Sequence, residues 1–292
     1  MKITADLFNA YLDCPTKSWL RGRGETSSGN LYSHWAASQE QVYRREGFNR
    51  LLRDIPSADH VIAPTKLLNC RPPKWRMVLD VSVQVFSTES CLLESRIDAL
   101  ERVSSEGSSK RAREMRFVPI RFVFANKVTK KERLLLGFDA LVLSQALKSE
   151  VREGRIIHGD QYTARKIVAT ALADETQKLI LRLEALLASH SPPDLVLNRH
   201  CAKCEFQGRC RKQAIEKDEL TLLAGMTEKR LAWLPLKSST SSRKEVIETS
   251  KAYSRSGGAA LCARRCPQHL QGPSAGRHRL RREFRVLVRS RR

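Results

Sequence analysis

The sequence predicts an α/β (α+β) fold with a mixed central sheet flanked by helices, because helical patterns both precede and follow a run of strands. Residues 77–86, 90–103 and 116–124 are rich in Val, Ile, Leu and Phe, which indicates strands. Apolar residues recur at helical spacing before this run, and again over 130–147 and 171–187. With 292 residues, 41% of them hydrophobic, the chain is long enough to bury a substantial core.

The N-terminal part of the chain is predicted to be helical. Residues 4–13 carry apolar side chains along one helical face, and Thr4 is a suitable N-cap. Pro15 disfavours helical backbone in the residue before it and therefore marks the end of this helix. After a glycine-rich connection, residues 31–53 predict a long helix.

Three strands are predicted next. The segment 77–86 alternates apolar and polar residues over its second half, and 90–103 forms the second strand. The serine-rich segment 104–109 is typical of a loop. The third strand, 116–124, contains Pro119, and because proline lacks an N–H this strand is expected at an edge or a bulge.

The remainder of the chain predicts helix, strand and helix, followed by a change in character. A helix over 130–147 leads to a short strand at 154–158 and an amphipathic helix at 171–187. Beyond about residue 235 the apolar periodicity is replaced by Ser, Gly and Arg, which predicts a basic, disordered tail at 237–292. A shift of the reading frame is a second explanation for this loss of pattern.

The charge balance favours a polyanionic partner. The chain has 53 Lys and Arg against 31 Asp and Glu, a net charge of +22. Such an excess argues against an ordinary neutral metabolic enzyme and for nucleic acid as the partner. Neither a signal peptide nor an apolar run of membrane-spanning length stands out, so we expect a cytoplasmic protein without a membrane partner.

Three of the eight cysteines form a C-x2-C-x5-C pattern at Cys201, Cys204 and Cys210. Their spacing allows all three sulfurs to reach one centre, and zinc sites and iron–sulfur clusters usually take four ligands. His200 as the fourth ligand would give a Zn2+ site, whereas Cys14 would give an all-cysteine site.

A lone cysteine after the first helix and a late C-x2-C-x5-C resemble the iron–sulfur branch of the RecB-like nucleases, within the PD-(D/E)xK superfamily. That branch includes the CRISPR-associated RecB-like exonucleases and the nuclease domain of AddB-type enzymes. LFNAYLDCPTKSWL at 7–20, GRIIHGDQY at 154–162 and the segment 200–234 resemble RecB-like nucleases fused to a DnaQ-like exonuclease or a helicase.

The resemblance implies a restriction-endonuclease-like core over 1–218, closed by a C-terminal cysteine cluster. It also implies a partial helix-hairpin-helix at 219–236, before the tail at 237–292. The implied cofactor is a [4Fe–4S] cluster, and its ligands are Cys14, Cys201, Cys204 and Cys210.

The resemblance also implies an active site in which acidic residues hold Mg2+ or Mn2+ and a lysine lies near the attacking water. Asp98, in a strand pattern, matches the first acidic position. Pro119 and Arg121 stand where the family has Glu and Lys, and His34 is the nearest match to the residue on the first long helix. Arginine is a poor substitute because it does not readily give up a proton.

Two functions follow. The first is a metal-dependent DNA nuclease of exonuclease or flap type, active in DNA repair. The second is a catalytically inactive iron–sulfur DNA-binding module that assists a helicase or exonuclease. In both, the partner is DNA, single-stranded or with free ends, tracked by basic residues (Arg44, Arg45, Lys110, Arg111, Lys127, Lys130 and Lys131).

Overall fold

A computed structural model describes residues 1–27, 29–53, 55–62, 75–88, 91–104 and 115–223, all within the unit Met1–Ser239. The helices in this part of the chain are α1 (Ala5–Asp13), α2 (Pro15–Gly22), α3 (Leu31–Leu52), α4 (Lys130–Leu147), α5 (Ala173–Ala188) and α6 (Gln207–Glu216). The strands are β1 (Lys2–Thr4), β2 (His60–Ile62), β3 (Met77–Thr88), β4 (Cys91–Ser104), β5 (Met115–Val123), β6 (Glu153–His158) and β7 (Thr163–Val168). Among these elements, no helix is both long enough and apolar enough to cross a bilayer.

The predicted mixed sheet with surrounding helices is confirmed. Six strands follow the order β2-β3-β4-β5-β6-β7, and β1 pairs separately with β4. The β3–β4, β4–β5 and β6–β7 pairs are antiparallel, whereas β2–β3, β5–β6 and β1–β4 are parallel. Strand β4 contacts β1 through residues 92–94 and β5 through 99–104, so it lies at the centre of the sheet.

The expectation that Pro119 places its strand at an edge is wrong. Strand β5 lies inside the sheet, between β4 and β6. The parallel pairing with β6 begins only at Ile120, opposite Arg155, one residue after the proline. Because Pro119 precedes that ladder, its missing N–H removes no hydrogen bond to β6.

Side-chain caps explain where three helices begin. The Thr4 hydroxyl accepts a hydrogen bond from Leu7 N at 3.1 Å, as expected for the N-cap of α1. Thr129 and Glu132 form a reciprocal capping box at the start of α4. The side chain of Asn30 accepts from Tyr32 N at 2.9 Å and so begins α3.

The core lies on both faces of the sheet. The larger part packs α1, α4 and α5 against β3 and β4, where Phe8 of α1 and Phe138 of α4 stack with ring centroids 4.9 Å apart. The smaller part packs α3 against β5, with Tyr43, Ile120 and Phe122 buried between them. Helix α3 therefore lies over the middle of the sheet.

The second half of α3 is held by an aromatic stack on the turn after β6. The rings of Tyr43 and Tyr162 lie 4.3 Å apart and almost parallel, and the Arg50 guanidinium covers Tyr162 at 4.1 Å. The Tyr43 hydroxyl donates to Gly159 O at 2.8 Å. These contacts fix the position of α3 relative to the strands beneath it.

We expect Gly47→Ala to lower the free energy of unfolding by about 1–3 kcal/mol, because a Cβ at this position would overlap the ring of Phe122. In an open helix the same change would stabilise the protein by up to about 1 kcal/mol. Denaturant unfolding measures the difference. Phe122→Leu should suppress the added cost of Gly47→Ala, and a Gly47→Ala variant more stable than the parent would contradict the close approach of α3.

Candidate functional site

The four cysteines of the predicted cluster line one cavity. Cys14 occupies the extended residue between α1 and α2. Cys201 begins a single 3-10 turn, Cys204 follows that turn, and Cys210 lies in α6. Apolar side chains complete the wall of the cavity: Leu195, Val196, Leu197 and Phe206.

Burial and mutual repulsion both act on the thiols of this cavity. Burial raises the pKa of the Cys210 thiol to about 11, and the neighbouring Cys204, Cys14 and Cys201 add to that shift. The four groups therefore repel one another as thiolates, and a positively charged centre among them would reverse the effect. Backbone N–H groups already donate to two sulfurs, to Cys201 at 3.2 Å and to Cys204 at 3.4 Å.

His200 lines the same cavity, but the charges that shift its pKa are not those of the cysteines. Burial lowers its pKa, and Asp13, whose Oδ1 lies 3.4 Å from Nδ1, opposes that shift. The other charges that act on His200 are Lys131, Arg199 and Lys17, whereas Cys14 acts on all three cysteines of the C-x2-C-x5-C pattern. Both candidates for the fourth ligand therefore line the cavity, and His200 is the one that also lies near the Asp13 carboxylate.

A single zinc ion and a [4Fe–4S] cluster would need different arrangements of these ligands. In the described ranges, no three His, Cys, Asp or Glu side chains are gathered closely enough to hold one metal ion. A tetrahedral zinc ion needs all its sulfur ligands about 2.3 Å from a common point. In a [4Fe–4S] cluster each thiolate binds a different iron, so the ligands surround a larger volume.

Direct contacts also join the N-terminal helices to the cysteine segment. Asn198 Nδ2 donates to Asp13 O at 3.2 Å, and Arg21 pairs with Glu205 at 2.6 Å. Asn30, the cap of α3, also donates from Nδ2 to Ala202 O at 3.2 Å. The start of α3 is therefore attached to the loop that carries the cysteines.

A second group of polar residues lies beneath α3. Asp98 on β4 is 3% exposed, and its Oδ1 lies 2.9 Å from Arg44 Nε. Its Oδ2 accepts from Phe122 N at 2.7 Å. Burial raises the pKa of Asp98, and the cations Arg121 and Arg44 oppose that shift.

Arg121 on β5 makes a forked contact with Asp139 on α4. Its Nε and Nη2 donate to the two carboxylate oxygens at 2.8 and 2.7 Å, and Asp139 is fully buried. Ser95 Oγ donates to the same carboxylate at 2.5 Å. Arg121, which the resemblance aligns with a lysine, is therefore engaged in a bidentate ion pair.

A third pair lies on β3 and β4, where Asp80 accepts from Arg96 at 2.5 and 2.7 Å. The β3–β4 pairing runs from Leu79↔Ala99 to Val81↔Ile97, so Asp80 falls opposite Asp98. Asp80 adopts a left-handed backbone with φ 52°. Asp80–Arg96, Asp98–Arg44 and Asp139–Arg121, hereafter the three aspartate–arginine pairs, leave each carboxylate neutralised by a guanidinium.

The structure brings Asp98 and Arg121 onto adjacent strands but does not bring His34 to them. His34 is exposed on α3, next to Gly29. It lies ten residues before Arg44, a rise of about 15 Å along the helix axis. Asp80 and Asp139 were missed from sequence, although an acidic residue within the apolar run 134–143 is a readable signal for Asp139. Arg44 was predicted only to track DNA, and its contact with Asp98 was not expected.

Some of the basic residues predicted to track DNA form ion pairs within the protein. Lys130 pairs with Glu175 and Lys131 with Asp13, each at 2.6 Å. Arg45 and Lys127 are exposed. Four predicted features fall outside the described residues: Lys110, Arg111, most of the helix-hairpin-helix segment 219–236, and the tail 237–292.

Comparisons with known proteins add little to this description. No family model and no curated protein matches the chain. Solved structures do match, and among them is the crystal structure of SSO0001, with 13% identity and a TM-score of 0.37. The match covers 72% of this chain and 86% of that one. A likeness of this extent supports no conclusion about function.

Proposed function

We propose that this protein is an iron–sulfur DNA-binding module with a RecB-like nuclease scaffold that binds DNA without hydrolysing it. The observation that carries the proposal is the set of three aspartate–arginine pairs. A divalent metal needs carboxylate oxygens free to coordinate it. Here Arg44 lies on the Asp98 carboxylate and Arg121 on Asp139, so a metal ion would have to displace a bound cation.

The scaffold half of the proposal rests on the cysteine cavity. Cys14, Cys201, Cys204 and Cys210 would hold a [4Fe–4S] cluster, which would cross-link the α1–α2 junction to the segment before α6. The cluster would have a structural role. Thiolate ligands of this kind are maintained in a reducing compartment, so we place the protein in the cytoplasm.

The DNA-binding half of the proposal rests on charge. A net charge of +22 on the whole chain attracts the phosphate backbone and makes affinity strongly dependent on salt. Without hydrolysis of its own, such a module would deliver single-stranded DNA or free ends to a helicase or exonuclease. The nuclease alternative would need Asp98 to bind Mg2+ or Mn2+ after Arg44 moves away.

The test uses the full chain purified without oxygen, beside Asp98→Ala. We expect both proteins to bind a labelled oligonucleotide with an affinity that falls steeply between 50 and 200 mM salt, roughly a factor of 10³ for six phosphate contacts. Neither should release products in Mg2+ or Mn2+.

The outcomes separate the two functions. Metal-dependent cleavage by the parent that is lost in Asp98→Ala would replace the proposal with the nuclease. Absence of DNA binding at 50 mM salt would contradict both functions.

A further inference from the structure

The first two turns of α3 carry apolar side chains in contact with solvent. Leu31, Tyr32 and Trp35 are 90%, 42% and 52% exposed. A helix of a folded domain normally turns such residues toward the core, and an exposed group of them marks a binding surface. Tyr32 and Trp35 are three positions apart and therefore lie on one side of the helix.

These two rings are arranged so that they remain accessible. Their centroids are 5.5 Å apart and their planes meet at 46°, so the rings do not cover each other face to face. The ammonium of Lys203 lies 5.1 Å from the centroid of the Tyr32 ring. The surface therefore combines two aromatic side chains with a cation, the pairing that binds base and phosphate of a single strand.

The position of this surface is set by the cysteine segment. Lys203 lies between Cys201 and Cys204, and Asn30 joins the start of α3 to the same segment through Ala202 O and, at 3.1 Å, Gln207 Oε1. The rings and the cation therefore come from two parts of the chain held in fixed relation. A preorganised surface binds with a smaller loss of conformational entropy.

We propose that Tyr32, Trp35 and Lys203 form a stacking surface for unpaired bases of single-stranded DNA. The proposal rests on the proposed DNA-binding function and names the part of the chain that distinguishes single strands from duplex. Stacking needs an unpaired base with a free face, which a duplex does not offer. The basic charge of the chain would act on both forms of DNA, whereas this surface would act on one.

The experiment compares binding of a labelled 15-nucleotide dT strand and a 15-base-pair duplex by the full chain, measured by fluorescence anisotropy. Trp35→Ala and Tyr32→Ala should each weaken binding of the single strand by about 10-fold and change duplex binding by less than twofold. Trp35→Phe should recover most of the affinity. Phe86→Ala removes a 70% exposed aromatic from β3 and is the matched control, expected to have no effect.

The alternatives give different results. Equal losses for single strand and duplex, or no loss in Trp35→Ala, would overturn the stacking surface while leaving the proposed function intact. A parent dimer that Trp35→Ala dissociates, with single-strand binding unchanged, would assign the surface to self-association. A parent that binds neither DNA would contradict both the surface and the proposed function.

Discussion

Full chain purified without oxygen should contain about four irons and four acid-labile sulfides, and Cys14→Ser should lose them. The reason is geometric, because Cys14 is the one cavity cysteine outside the C-x2-C-x5-C segment, and the cluster would be left with three ligands. Iron, sulfide and zinc analysis of each protein measures the effect. We also expect a large drop in the free energy of unfolding, since the cross-link between the first helices and the last would be gone.

Cys91→Ala is the matched control for Cys14→Ser. Cys91 is fully buried in the core on β4 and belongs to no cavity wall with the other four. It should keep its full iron content and lose about 1 kcal/mol of stability from the small cavity. One zinc per chain, retained in Cys14→Ser and lost in His200→Ala, would contradict the iron–sulfur assignment and establish the Zn2+ alternative.

Arg121→Met should lower the free energy of unfolding by about 3–5 kcal/mol. Asp139 is fully buried, and without the guanidinium its carboxylate keeps only the hydrogen bond from Ser95 among the contacts described above. An uncompensated buried charge costs far more than the net contribution of the intact pair. Urea unfolding at neutral pH measures the loss.

Two further variants serve as controls for Arg121→Met. Arg96→Met breaks the Asp80 pair, whose arginine side chain is 64% exposed, and should cost no more than about 1 kcal/mol. The double variant Arg121→Met, Asp139→Leu removes both charges and should recover most of the stability. A cost below about 1 kcal/mol for Arg121→Met alone would mean that water reaches Asp139, and the pair would no longer argue against a metal ion.

The elements that could be predicted from sequence are those whose own residues determine them. The capping box at Thr129 and the long apolar run after it define α4, which begins and ends where predicted. Strand β7 was missed because its first four residues are all exposed, so no alternation of apolar and polar residues marks it. It forms through its pairing with β6. Strands β1 and β2 have three residues each and likewise depend on their partners.

The cysteine cavity and the aspartate–arginine pairs differ in the same way in how far they could be predicted from sequence. Spacing alone indicated the group Cys201, Cys204 and Cys210, because the residues are close in sequence. Which arginine reaches Asp98 depends instead on how α3 crosses the sheet, so the contact with Arg44 was not readable from the sequence. The pairing of Arg121 with Asp139 requires the distance from β5 to α4, which no local pattern contains.

Asp13 and Asn198 are in contact although they lie 185 positions apart, so this contact can form only late in synthesis of the chain. At the usual rate of translation, helices α1 and α2 leave the ribosome about 10–40 s before the segment that covers them. During this interval the apolar side chains of Trp19 and Leu20, buried in the finished protein beside Phe206, have no partner. Insertion of the proposed cluster would have to follow synthesis of α6, because that helix carries Cys210.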